Sequence, residues 1–195
     1  MNKRILLSGI SLFSSLALVT GATFAFFSDV GTSTDNVFAA GSLDLKLTDN
    51  NETAQDNVTV SFSGSNLAPG SCTAIQTLEA QNSGTVTGNH IEIAVANTGT
   101  DIAPDSTPLE IADYLMLDVF RYDGGNLSVP DLNGNGFLDL DDLAETDVDD
   151  LALTNLNTNH LIELQVCLHS TAPNEVQGDS VDSDWTITLN QSASQ

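Results

Sequence analysis

Apolar and polar residues alternate in seven or eight stretches of the chain, and this period of two predicts half-buried β-strands rather than amphipathic helices. The pattern runs through Leu43, Leu45 and Leu47, then Val58, Val60 and Phe62, then the segment from Cys72 to Ala80. It returns at Ile91, Ile93 and Val95, at Leu115, Leu117 and Val119, at Ile162, Leu164, Val166 and Leu168, and at Trp185, Ile187 and Leu189. Turn formers separate the stretches: Asp49-Asn50-Asn51, Pro69-Gly70, Asn97-Thr98-Gly99 and Asp123-Gly124-Gly125. One segment departs from the pattern. Thr107 as N-cap, Pro108 at the first helical position and Glu110 in the first turn predict a short helix from Thr107 to Tyr114. Many short strands with little helix imply an all-β fold, an antiparallel two-sheet sandwich or jelly roll, interrupted by an acidic insertion over residues 123–150. No repeat of roughly 20 to 50 residues is present, which argues against a solenoid.

The N-terminus follows a different rule. Lys3 and Arg4 precede a mostly apolar run from Ile5 to Val19, and Thr23 and Ala25 put small residues three and one before Phe26. This is the grammar of a secretory signal: signal peptidase would cut between Ala25 and Phe26, leaving residues 26–195 as a single exported domain with no membrane span. The competing reading is an uncleaved anchor, for which the apolar run falls short of the ~20 residues a bilayer requires.

Charge narrows the partners. The 195 residues carry 4 Lys+Arg against 27 Asp+Glu, a net charge of −23, and removal of Lys3 and Arg4 with the leader takes it to −25. Such a surface repels phosphate backbones and anionic headgroups, so neither nucleic acid nor an anionic membrane is expected as a partner. The excess of carboxylates suits either a halophilic surface or the capture of divalent cations. At molar salt the screening length falls to about 3 Å, which would relieve the self-repulsion.

The sharpest chemistry lies in the insertion. Asp131, Asn133, Asn135, Asp139 and Asp142 stand at positions 1, 3, 5, 9 and 12 of a loop, Gly136 stands at position 6 where the chain turns sharply, and position 7 offers the Phe137 carbonyl. Hard divalent cations prefer oxygen, so this spacing predicts a calcium site similar to dockerin-type and EF-hand loops, with Leu138 anchoring the loop to the body. Asp142 is shorter than the Glu usual at position 12, which implies a weaker or water-assisted site; the alternative is a solvated Asn/Asp/Gly loop. The downstream Glu145, Asp147, Asp149 and Asp150 fit no coordination template and read as solvated charge.

Cys72 and Cys167 are the only thiols. Export makes an even pair a natural disulfide, either stapling strands from outside or tying a strand to the loop after Pro69-Gly70; two free thiols joining subunits are the alternative. His90, His160 and His169 match no zinc motif, H-E-x-x-H and Gly-x-Ser-x-Gly are both absent, and the chain is read as not an enzyme. Four Asn-x-Ser/Thr triplets begin at Asn51, Asn57, Asn126 and Asn190, a number that an Asn-, Ser- and Thr-rich composition produces by chance.

Finally, Gly21-Ala22-Thr23-Phe24-Ala25-Phe26-Phe27-Ser28-Asp29, followed by Val37-Phe38-Ala39-Ala40-Gly41-Ser42-Leu43-Asp44-Leu45, resembles the start of the TasA/camelysin family. Asn66-Leu67-Ala68-Pro69-Gly70 and Gln177-Gly178-Asp179-Ser180 extend the resemblance, which leaves the middle of the chain uncovered. It implies a secreted jelly-roll fibre subunit that assembles with copies of itself. The family's mode of assembly implies a donor segment at residues 26–47, with Phe26, Phe27, Val37, Phe38, Leu43, Leu45 and Leu47 entering the sheet of the next copy as a strand. A head-to-body contact is heterologous and propagates into a filament. Some family members have been called proteases, but no residue set for that activity is evident here. The alternative function is a monomeric, calcium-stabilised surface or adhesion module.

Overall fold

The computed structural model describes residues 40–49, 53–58, 62–102 and 111–193. Among the described residues eight strands form two antiparallel sheets. β1 (Leu45–Asp49), β2 (Gln76–Asn82), β7 (His160–Leu168), β4 (Leu115–Tyr122) and the two-residue β5 (Gly125–Asn126) make a five-stranded sheet in the order β1-β2-β7-β4-β5. β6 (Val148–Ala152), β3 (His90–Thr100) and β8 (Ser180–Asn190) make the second sheet, in the order β6-β3-β8. This is the expected all-β sandwich.

Alternation explains the packing. Leu78 and Ala80 of β2, Ile162 and Leu164 of β7, and Ile91, Ile93 and Val95 of β3 are all buried and belong to one hydrophobic cluster. In the smaller sheet Ile93 pairs with Ile187 and Val95 with Trp185, so the two apolar rows face the same way. The Trp185 ring lies 4.7 Å from Phe62 and 6.2 Å, edge-on, from Phe120, closing the core between the sheets.

Three elements differ from the sequence expectation. The predicted helix is reduced to a 3-10 turn at Ala112–Tyr114, with residues 103–110 outside the described set. A six-residue helix, α1 (Leu140–Glu145), instead follows the acidic loop, and β6 follows it where solvated charge was expected. A helix this short is not stable by propensity. Leu143 is fully buried, Leu140 nearly so, and the Leu140 carbonyl accepts a 2.7 Å bond from Asn97 Nδ2 on β3. Burial at about 2 to 3 kcal/mol per leucine holds the helix in place. The alternation at Val58 and Phe62 marks partly buried residues packed against the core, while Val60 lies outside the described residues.

Candidate functional site

The acidic loop is built by its own hydrogen bonds. Asp131 Oδ1 accepts from Gly134 N at 2.7 Å and its Oδ2 from Gly136 N at 3.0 Å, while Asn133 Oδ1 and Asn135 Oδ1 each accept, at 3.0 Å, from the backbone N–H two residues on. Gly134 and Gly136 have φ of 74° and 94°, a left-handed conformation that side chains resist, so glycine at both positions lets the loop coil inward. Asp139 is the N-cap of α1 and Asp142 its third residue. Each carboxylate accepts from the other's backbone N–H, forming a reciprocal capping box. The remaining oxygens reach back into the loop: Asp142 Oδ1 accepts from Leu132 N at 2.7 Å, and Asp139 Oδ2 accepts from Asn135 Nδ2 at 2.7 Å.

Both Asp139 and Asp142 are fully buried. Burial, with a smaller contribution from the neighbouring Asp142 charge, holds the Asp139 carboxyl above the usual carboxylate range, and burial raises Asp141 as well, helped by Glu145 and Asp142. Leu138 packs partly buried against the core and its carbonyl accepts from Leu117 N, while the Phe137 ring stacks on His169 at 4.3 Å. The predicted loop residues therefore gather in one structural unit, although their three carboxylates do not converge within 4.8 Å of one another.

Cys72 and Cys167 form a disulfide. It ties β7 to the segment after Pro69-Gly70, which runs antiparallel to it through Gly70 N to Leu168 O, Leu168 N to Ser71 O and Thr73 N to Val166 O. Cys167 sits on the outward face of β7 yet is only 5% exposed.

Of the residues expected to form a donor segment, Leu45 and Leu47 instead lie in β1, paired with Asn82 and Ala80 of the chain's own larger sheet. That pairing leaves only residues before Leu45 for the expected donation. Leu43 is half-buried ahead of β1, and Phe26, Phe27, Val37, Phe38 and the Ala25–Phe26 cleavage point lie outside the described residues. No helix among the described residues is long and apolar enough to cross a membrane.

The histidines do not meet. His160 Nδ1 contacts Asp123 Oδ2 at 2.7 Å beneath Tyr122, and His169 Nδ1 lies 2.7 Å from Thr171 Oγ1. His90, however, joins Asp149 and Asp150, and among the described residues this is the grouping of three His, Cys, Asp or Glu side chains whose ligand atoms come within 4.8 Å of one another. Sequence reasoning missed it because 59 residues separate His90 from Asp149 and the aspartates read as solvated. The signal that could have found it is the Leu151/Leu153 alternation, which marks a strand beside them. Asn190, the start of one glycosylation triplet, is buried against His90, so a glycan cannot be attached there in the folded chain.

A search of curated proteins finds no match. The profile of the camelysin metallo-endopeptidase family matches residues 1–195, the whole length of the chain. With the resemblance at Gly21–Asp29, the sandwich fold and the full-length match in agreement, the chain belongs to the camelysin metallo-endopeptidase family.

Proposed function

We propose that this is a secreted structural protein that polymerises into extracellular filaments, the segment before Leu45 adding as a strand to the sheet of the next copy. The observation that carries the reading is β8. This strand is 11 residues long, lies at the edge of its sheet, and pairs with β3 alone among the described residues. Its inward row of Val181, Trp185, Ile187 and Leu189 is only partly buried, so an added strand would find both an open hydrogen-bond ladder and apolar surface to cover. The other edges offer less: β1 bonds to Gln55 at Leu47, β5 has two residues, and β6 is bulged against β3. Subunits carrying about −25 each repel one another, so assembly is expected to run faster in salt, as light scattering would record.

In the same reading calcium occupies the loop through Asp131, Asn133, Asn135, Asp139, Asp142 and the Phe137 carbonyl. Asp139 and Asp142 are fully buried with backbone and amide N–H groups on their oxygens but no cationic side chain, and an ion drawing the loop carboxylates together would compensate that charge, which supports this ligand set. With free calcium at 100 times Kd the stabilisation is about 2.7 kcal/mol. Chelation is expected to lower the melting temperature and to speed hydrogen exchange across residues 131–150. An identical melt with and without chelator removes calcium from the proposal.

The family description favours a second reading, a metallo-endopeptidase. The donor set that fits a catalytic-type metal is His90, Asp149 and Asp150, one nitrogen and two carboxylates with an exposed side. A metal bound there would supply activation of a water molecule. Chelator-sensitive cleavage of an unfolded protein substrate by the purified chain, lost in Asp149→Asn, would establish this reading over the structural one.

A further inference from the structure

We propose that the Asn133-Gly134 pair is a site of spontaneous covalent modification, at which the Asn133 carboxamide becomes aspartate or isoaspartate, and that Asp131 is the latch that slows it. The inference depends neither on filaments nor on calcium.

The chemistry starts from the sequence. Asn133-Gly134 and Asn135-Gly136 are the only Asn-Gly pairs in the chain, and all four residues are exposed. An asparagine followed by glycine is open to cyclisation because no Cβ shields the glycine nitrogen. The glycine N–H gives its proton to solvent base, and the nitrogen bonds to the asparagine Cγ. The Cγ–Nδ2 bond then breaks, ammonia leaves with a proton from water, and a succinimide remains. Water opens either imide carbonyl to give aspartate or isoaspartate. One water is consumed and one ammonia released, with no oxidation or reduction.

Geometry decides which pair reacts. Asp131 holds both nucleophiles, its Oδ1 accepting from Gly134 N at 2.7 Å and its Oδ2 from Gly136 N at 3.0 Å. A proton shared with a carboxylate is harder to remove, so both cyclisations are slowed. The two carbonyl oxygens are also pinned alike, Asn133 Oδ1 by Asn135 N and Asn135 Oδ1 by Phe137 N, each at 3.0 Å. The difference lies in the leaving nitrogen. Asn135 Nδ2 donates to Oδ2 of the buried Asp139 at 2.7 Å and to the Asp113 carbonyl at 3.1 Å, which fixes that carboxamide at both ends. Asn133 Nδ2 stands 3.4 Å from the same Asp139 oxygen, with Asp141 as its other partner. A bond of that length is weak, so the Asn133 carboxamide turns toward Gly134 more readily. Asn133 therefore reacts first.

The product alters the loop for good. A carboxylate at position 133 sets a negative charge against Asp139 where a donor stood, and isoaspartate also lengthens the backbone by one carbon.

The test is peptide mass mapping of the full mature chain kept in warm, mildly alkaline buffer, with a urea-unfolded sample as reference. Each conversion adds about one mass unit, and an isoaspartate methyltransferase labels the iso product. The unfolded chain should convert Asn133 and Asn135 at similar rates. In the folded chain Asn133 should convert at least about tenfold more slowly than in the unfolded one, the factor that one hydrogen bond to a charged group supplies, and Asn135 more slowly still. Asp131→Ala should restore about tenfold in rate at Asn133 while the melt shows the sandwich intact, and Asp131→Asn, which keeps shape but not charge, should give a smaller rise. Because Asp131 is also a calcium ligand in the reading above, each variant is run with calcium and with chelator. A rise in both buffers belongs to the latch; a rise confined to calcium buffer belongs to the ion and overturns it. The proposal is also overturned by folded Asn133 converting at the unfolded rate, by Asn135 converting ahead of Asn133, or by Asp131 variants that leave the rates unchanged.

Discussion

A chain lacking residues 26–40 is expected to fold, to bind calcium and to form no filaments. The expectation follows from where the fold begins. β1 starts at Leu45 and pairs with β2 over five residues, and the chain ahead of it from Ser42 bonds back to Thr85 and Val86. A deletion ending at Ala40 leaves those contacts and both sheets whole. It removes only the segment assigned to the neighbour, including Phe26, Phe27, Val37 and Phe38, and leaves the edge of β8 without its incoming strand. Negative-stain microscopy should then show discrete particles where the mature chain gives threads, with the melting temperature of the subunit and its calcium shift unchanged. Threads from the truncated chain would falsify strand donation. Particles alone from the full mature chain under every ionic condition would favour the monomeric surface module instead. Adding the missing segment as a peptide should restore protection of β8 amides from exchange without restoring polymer.

Opening the Cys72–Cys167 bridge is expected to give the largest loss of subunit stability. The cysteines are 95 residues apart in sequence, and constraining an unfolded chain over a loop of that length contributes about 4 to 5 kcal/mol in the chain-entropy account. The structure adds a local reason. The stretch from Gly70 to Thr73 has little apolar anchorage: Cys72 and Ala74 are exposed, and the Ile75 side chain is 47% exposed. The bridge holds this stretch along β7, where Gln165 Nε2 donates to Thr73 O and Val166 N donates to Thr73 Oγ1. A Cys72→Ser, Cys167→Ala double variant keeps the covered position apolar and should melt on the order of 10 °C lower. Exchange should quicken first at Leu168 and Thr73. Equal melts for the reduced and oxidised chain would show that the hydrogen bonds alone suffice.

The strands that can be read from sequence are those with one wet face. β3, β7 and β8 are each nine or more residues long and alternate through most of that length, because one row of side chains enters the core and the next meets solvent or a covering loop. β6 escapes the same reading for a physical reason: the bulge inserts Asp150, puts Asp149 and Asp150 in sequence, and breaks the period after Val148. α1 escapes because Asp139 and Asp142 serve two purposes. Their spacing in the loop is also the spacing of an N-cap and its third residue, and only the burial of Leu140 and Leu143 reveals the helix. The loop itself was legible, since local spacing encodes it. The His90 cluster was not, because strand pairing between β3 and β6 brings it together. The split fate of the donor residues has the same origin: Leu45 and Leu47 look like any alternating strand, and only register shows that β2 already holds them.

The outer row of β8 carries Asp182 and Asp184, both exposed. Two copies meeting β8 to β8 would align these aspartates across the new ladder, and like charges set side by side on adjacent strands push them apart. Under the proposed strand donation, the edge that β8 presents among the described residues would therefore be selective: it would refuse a mirror of itself while admitting a segment without charge at those places. Concentrated salt weakens that refusal. Salt that speeds the proposed assembly would thus also relax the discrimination between an ordered thread and a tangle.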